Sequence, residues 1–416
     1  MVNKVRKRGI QPSELTAHQM IREAPLLRLA VCLMVGIVAG CHLPATWSWL
    51  LMLAVAVVAA LSLKRFEMGQ SVAIAVCFVV LGIVLTERQR TQGYEDLTQT
   101  GDYRRAPTTL DRSKTCFLQL RSRLLRRMAD QGLTGDEYAV VAAMALGDKS
   151  ALTKELKTTY AVTGASHVLA LSGLHLSIIY SLLSLLIVGR RWRMLSQVIC
   201  LLSIWAFVLL VGMSVSVVRS ALMISIYALM SLGHRDKMSV NTLAFTAIVM
   251  LVVQPLSLFD IGFQMSFMAV FSILVLMPLF ERVFSQAYLM SHPVVRWLWT
   301  MVAVSCAAQL GVAPLIAYYF GRFSTYFLLT NLVVVPAATL ILYLSLTVLV
   351  VPSLAYLLIY IVGLLNAALL YIASIPGASI EGLHPTVLQV TMVYVVIAAV
   401  TYILAIAGYR SGSPRP

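Results

Sequence analysis

Charge is what this chain most lacks. Only 12% of its 416 residues are Asp, Glu, Lys or Arg, while 60% are hydrophobic and the mean hydropathy is +0.86. A soluble domain is about a quarter charged. This shortfall excludes a water-soluble globule, because even a large soluble domain leaves much of its surface wet. Cysteine is also scarce: the chain has 6, with no CxxC pair and no Cys/His cluster at metal-ligand spacing. Cys32, Cys41, Cys77, Cys200 and Cys306 lie in apolar runs and read as small core residues, with Cys116 the exception. No metal or cofactor is expected. A nucleotide-driven motor is excluded by the lack of a G-x-x-x-x-G-K-[ST] phosphate loop. Acidic residues are few, 17 against 32 Lys plus Arg, for a net charge of +15. That balance suits topological anchors and contact with a polyanion.

What the chain does have is long apolar runs. A spanning helix needs about 20 mostly apolar residues. Such runs fall at 26–43, 46–63, 70–86, 174–189, 194–212, 214–232, 239–254, 261–280, 296–320, 326–350, 353–375 and 386–408. The fold class is therefore an all-α polytopic membrane protein of about 10–12 transmembrane helices. Val38-Ala39-Gly40-Cys41 resembles a lipoprotein cleavage box, but the basic leader before it is long and a second apolar run follows at once. A retained first helix is expected.

Positive charge orients the spans. The N-terminal cluster (Lys4, Arg6, Lys7, Arg8), Lys64-Arg65, Arg190-Arg191-Trp192-Arg193, His234-Arg235-Asp236-Lys237, the 281–296 loop and Arg410 fall on one side under a twelve-span count. That side is read as cytoplasmic, with both termini there. The organisation is then N-terminal membrane helices over 1–86, a basic extracytoplasmic segment over 87–134, a main helical domain over 135–408 and a cytoplasmic tail over 409–416.

Residues 87–113 are polar and read as loop. Residues 104–127 carry eight Lys/Arg (Arg104, Arg105, Arg112, Lys114, Arg121, Arg123, Arg126, Arg127) against one acid, Asp111. Phe117, Leu120, Leu124 and Met128 share one helical face, flanked by Leu118 and Leu125, with Arg123, Arg126, Arg127 and Asp130 opposite. This is an amphipathic interfacial helix, either anchored among headgroups or forming a rim that catches a polyanion. Thr134 and Glu137 then form a capping-box pattern for a helix ending at Gly147-Asp148, which is expected to lie on or between the spans.

Polar residues inside spans are informative because each needs a partner or a wet cavity. Ser216, Ser220, Tyr227 and Ser231 form a stripe bordered by Arg219. Asp260 and Gln264 lie one turn apart, with Ser257 on the same face and Gly262/Ser266 as a small-xxx-small pair. Arg219 and Asp260 suit a pathway role or a mutual ion pair that holds the path. Gln309, Gly311 and Pro314 share one span, and Asn331 and Pro336 the next. Two adjacent proline-interrupted helices point to a midplane route, although Asn, Gln and Ser also serve simply as glue between helices. The densest cluster is Gly164-Ala-Ser166-His167-Val-Leu-Ala-Leu-Ser172-Gly173-Leu-His175-Leu-Ser177. Its histidines are eight apart, about 80° off alignment on a helix, which disfavours a metal pair. It also lacks the GxSxG elbow of a serine nucleophile, so no catalytic residue is assigned. The remaining reading is a re-entrant or broken helix whose polar groups face a watery passage.

The same cluster, GASHVLALSGLHL at 164–176, resembles the signature of the ComEC family, whose competence domain forms an inner-membrane channel for DNA uptake. Val218-Arg219-Ser220-Ala221-Leu222-Met223 resembles the family's Arg-containing helix. Asp260-Ile261-Gly262-Phe263-Gln264-Met265-Ser266-Phe267 resembles its Gly-Phe-Gln-(apolar)-Ser motif. Gln309 to Pro314, Phe320-Gly321, Asn331 and Pro336 follow its late pattern. The likeness covers about 135–345 well. It implies a non-enzymatic channel importing single-stranded DNA through the bacterial inner membrane during natural transformation. Ser166, His167, Ser172, His175, Arg219, Asp260, Gln264, Gln309 and Asn331 are then the pathway candidates, and Arg121, Arg123, Arg126 and Arg127 the capture candidates. The implied partners are single-stranded DNA, the lipid bilayer, and separate DNA-receptor and ATPase or helicase proteins, with homo-oligomers compatible. Relatives usually carry an OB-like domain where this chain has residues 87–134, and many carry a C-terminal metallo-β-lactamase-like domain. Neither is expected here, so a small-solute transporter or a reduced paralogue on the same scaffold stands as the alternative.

Overall fold

The structure is a computed structural model that describes residues 24–43, 48–62, 67–98, 109–187, 193–232 and 239–411. The N-terminal basic cluster, Lys64-Arg65, Arg104-Arg105, Arg190-Arg191-Trp192, His234 to Lys237 and residues 412–416 lie outside the described residues. The chain is all-α. Its helices are α1 (Pro25–His42), α2 (Ser48–Ser62), α3 (Glu67–Thr98), α4 (Thr109–Asp130), α5 (Gly135–Leu146), α6 (Lys154–Val162), α7 (Ser166–Leu169), α8 (Gly173–Ile187), α9 (Arg193–Leu210) and α10 (Val215–Leu232). They continue with α11 (Val240–Val253), α12 (Ile261–Phe280), α13 (Gln286–Ser291), α14 (Pro293–Phe320), α15 (Phe327–Val348), α16 (Ala355–Ser374) and α17 (Val387–Ser411). The described strands are β1 (Arg322–Ser324) and β2 (Ser379–Glu381), paired antiparallel with Phe323 opposite Ile380.

Each expected span coincides with a helix, because in hydrocarbon a chain must satisfy its backbone internally. Among the described residues, 7 helices are long and apolar enough to cross a membrane, and Ser48–Ser62, Gly173–Leu185, Met194–Leu210, Val215–Leu229 and Val240–Val253 are shorter apolar helices. The chain is a multi-pass membrane protein. Two expectations need correction. Residues 87–98 and 109–113 are not loop: α4 begins at Thr109, and α3 runs on through its polar end to Thr98, where Arg90 donates to the carbonyls of Gly40 and Cys41 at the end of α1. Pro314 and Pro336 do not interrupt their helices, since α14 and α15 continue through them, as α12 does through Pro278. Neighbouring helices hold the local loss of one backbone bond in place.

Packing without a hydrophobic driving force relies on close backbone approach. Gly36 on α1 meets Gly82 on α3, and Gly40 meets Ile83 and Thr86: a Cβ on Gly36 would run into the Val79 carbonyl oxygen, and one on Gly82 would stand 2.5 Å from that of Leu33. Three apolar cores result. One joins α5, α6, α15 and α16, another α1, α11 and α12, and a third α8, α9 and α10.

The amphipathic helix is α4. Leu125 and Met128 are buried and Phe117 and Leu124 half-buried, as its apolar face requires, but Leu118 and Leu120 are exposed. Thr134 does occupy the N-cap of α5, with no side-chain cap bond, and Gly147 ends the helix in the left-handed conformation at φ 70°. A Cβ is additionally barred there by Leu171 and Val211. Helix α5 lies between spans rather than on them: every residue from Ala139 to Leu146 is buried, against α15 and α16. Tyr160 on α6 is fully buried and donates its hydroxyl to Asn366 Oδ1 at 2.8 Å. Burial, with Asp136 adding, raises this phenol above its ordinary range, so it stays a donor. Of the cysteines, Cys200 is buried, Cys116 exposed and the rest half-buried.

Candidate polar pathway through the bundle

The expected break in the 164–177 cluster is present. Helix α6 ends in a turn over 163–165, α7 makes one turn, and the chain is extended at Ala170 before α8 begins at Gly173. Gly173 packs against α10: a Cβ there would stand 3.2 Å from Ser220 Oγ. The residues of the cluster divide. Ser166 and His167 are exposed, with His167 Nδ1 3.0 Å from the Gly164 carbonyl. His175 is instead fully buried. Its Nδ1 accepts from the Ser172 backbone N–H at 3.3 Å and lies 3.0 Å from the Ser172 hydroxyl. A backbone N–H only donates, so Nε2 carries the proton and is buried. His175 closes the broken end of α8 from within.

Arg219 and Asp260 form the ion pair that sequence reasoning allowed. Arg219 Nη1 lies 3.2 Å from Asp260 Oδ2, with the arginine 3% and the carboxylate 38% exposed. The carboxylate has a second task. Asp260 is the N-cap of α12, and its Oδ1 accepts from the Gly262 N–H at 2.7 Å. Nη2 of Arg219 donates to Ser266 Oγ at 3.4 Å. The missing Cβ of Gly262 leaves room for the guanidinium, since that atom would stand 2.7 Å from Nη2. Gly262 and Ser266 thus house a cation rather than simply letting two helices touch. Arg219 Nε is buried with no hydrogen-bond partner among the described residues. The stripe serine beside it, Ser220, returns its hydroxyl to the Ser216 carbonyl at 3.0 Å.

One turn further along α12, Gln264 is half-buried. Its Nε2 donates to the Leu258 carbonyl at 3.0 Å, and its Oε1 accepts from the Tyr319 hydroxyl on α14 at 2.7 Å. Tyr319 is a partner no spacing rule could find, 55 residues away. Tyr394 of α17 donates to the Gly311 carbonyl at 2.7 Å, tying the last helix to α14. Gln309 and Asn331 are both half-buried, and neither hydrogen-bonds another described residue. Tyr319→Phe is expected to cost about 1 kcal/mol, the net worth of one hydrogen bond, readable as a small drop in detergent unfolding temperature with normal membrane abundance.

The capture candidates also divide. Arg123, Arg126 and Arg127 are exposed on α4. Arg121 turns inward, where its Nη2 lies 3.5 Å from Asp148 Oδ1 and its Nη1 donates to the Val211 carbonyl at 3.5 Å. Its position beside Phe117, Leu124, Leu125 and Met128 on the buried side explains the difference. The acid that neutralises it, 27 positions on, is brought close by the return of α5 along α4.

Fold and site together define a multi-pass helical membrane protein whose apolar cores are joined by a seam of paired and unpaired polar groups. The Competence family (competence protein) matches residues 144–406, and the chain belongs to it. The chain is 32% identical over 208 residues to ComE operon protein 3 of Bacillus subtilis (strain 168), covering 50% of this chain and 25% of that protein. It is 31% identical over 188 residues to an uncharacterized protein of Aquifex aeolicus (strain VF5), covering 44% of this chain and 41% of that protein. It thus spans less than half the length of either relative. No solved structure gives a significant match.

Proposed function

We propose that this protein serves DNA uptake in competence by conducting single-stranded DNA across the bacterial inner membrane into the cytoplasm, without itself performing catalysis. One observation carries the reading. Gln309 and Asn331 lie in spans matched by the family, half-buried, with amides that bond no other described residue. An unsatisfied amide in hydrocarbon costs several kcal/mol, roughly 2–7 by transfer data, so these groups meet water or a passing polar solute. The seam suits a polyanion. It is polar but carries little net charge, because Arg219 is offset by Asp260, and passage requires contacts weak enough to leave. Arg123, Arg126 and Arg127 are exposed on the extracytoplasmic helix of this reading and raise the local concentration of phosphate. Separate receptor and ATPase or helicase proteins deliver the strand and supply the energy.

Deleting the gene in a competent host is expected to abolish transformation while labelled DNA still reaches the outer side, with recovery on complementation. Unchanged transformation in the deletion strain would sink the proposal.

A further inference from the structure

The segment joining α12 to α14 has no part in the seam, yet it carries an ordered series of rings. Phe284, Tyr288 and His292 recur every four residues. The first two rings are stacked with centroids 6.0 Å apart and planes 21° apart, and the second two with centroids 4.4 Å and planes 28° apart. The series is braced from behind. Trp299 meets Phe284 edge-on at 4.9 Å and 84°, and its indole N–H is held by the Phe280 carbonyl at 3.1 Å. His292 Nδ1 lies 3.1 Å from the Tyr288 carbonyl and 2.9 Å from the Ser291 hydroxyl, which fixes that ring. Tyr288 and His292 are exposed, and His292 ends the series. Arg282 and Arg296 flank the rings, exposed and paired with no described carboxylate, while the one nearby acid, Glu281, is half-buried.

We propose that this ladder is a binding platform for single-stranded nucleic acid, on which a base continues the ring series beyond His292 while Arg282 and Arg296 take the flanking phosphates. The inference rests on the uptake reading and on the orientation that puts the 281–296 loop at the cytoplasmic exit. Flat faces stacked in series, with cations spaced around them, are the chemistry that holds unpaired bases without regard to sequence. A headgroup anchor is the rival that exposed Val283, Met290 and Val294 would support. However, an anchor needs ring tips at the interface rather than near-parallel rings in series, braced from behind.

The test uses the full chain in phosphatidylcholine nanodiscs and a fluorescein-labelled 15-nucleotide oligo-dT, read by anisotropy. The double variant Y288A/H292A is expected to weaken binding about tenfold or more, Y288F/H292F to retain it, and R282Q/R296Q to flatten the salt slope by about 1.4. A duplex of equal length should respond to the arginine changes but not to the ring changes. Binding by Y288A/H292A equal to wild type overturns the platform. So does a ring variant that loses single strand, duplex and thermal stability together, which marks an anchor. The two readings separate in the host. Normal transformation on deletion overturns uptake whatever the ladder binds. Abolished transformation on deletion, with Y288A/H292A both binding and transforming as wild type, overturns the ladder alone.

Discussion

Asp260→Asn is expected to destabilise this protein more than Arg219→Leu, although both break the same ion pair. The asymmetry follows from burial. Arg219 is 3% exposed and the Asp260 side chain 38%. Removing the carboxylate charge strands a cation in the bundle, a change that costs about 3–5 kcal/mol at buried sites. Asparagine keeps an oxygen for the Gly262 N–H, so the α12 N-cap is retained and the loss reports charge alone. Removing the arginine leaves a carboxylate that is itself 38% exposed and still accepts from Gly262, at a cost nearer 1 kcal/mol. R219L/D260N should recover much of the stability lost in D260N, and the double-mutant cycle isolates the coupling. Unfolding of detergent-purified protein supplies the free energies. Transformation supplies the second readout: R219L is expected to reach the membrane at near-normal abundance and fail to transform. Equal destabilisation by both single changes would refute the burial argument. Normal transformation by R219L would remove Arg219 from the pathway.

Gly311→Leu should be among the most damaging single changes in the family-matched domain. A Cβ on Gly311 would run into Ser272 Oγ and stand 2.6 Å from Ser272 Cβ and 2.7 Å from the Met268 carbonyl oxygen. The last is backbone, so no rotamer change relieves it, and α12 and α14 must separate. The movement also strains the Tyr394 bond to the Gly311 carbonyl and the Tyr319 bond to Gln264. The expected loss is about 3 kcal/mol or more, at or beyond the usual upper range for overpacking. It would appear as a large fall in unfolding temperature and in membrane abundance. Adding Ser272→Ala should recover little, because the clashes with the Met268 carbonyl and with Cβ persist. Full rescue would show that the hydroxyl, not the backbone approach, sets the spacing.

The fold is most legible in the sequence where a single local rule governs. Apolar runs fixed the helices because the bilayer leaves a chain no other way to satisfy its backbone, and the match runs from Pro25 to Ser411. The break before Gly173 and the stop at Gly147 were legible from glycine and serine chemistry. Local rules mislead where packing intervenes. Pro314 and Pro336 suggested interruptions, but a proline removes one bond and the surrounding bundle holds the helix. Polar composition over 87–98 suggested loop, yet α3 carries on to Thr98 and supplies the Arg90 bonds to α1. The glycines at 36, 40 and 82 were visible in the sequence as small residues, but which helix they admit was not.

The sequence by itself determined the class of protein, the positions of its spans and the four motifs that resemble those of its family, since these depend on transfer to hydrocarbon and on local order along the chain. Tertiary structure alone decided how the polar groups are spent. It buried His175 and left His167 exposed, turned Arg121 toward Asp148, gave Gln264 to Tyr319, and left Gln309 and Asn331 without described partners. The physical reason is that a polar side chain in a membrane is satisfied by whatever helix stands beside it, and neighbours 27 to 55 positions apart leave no periodic trace in the chain.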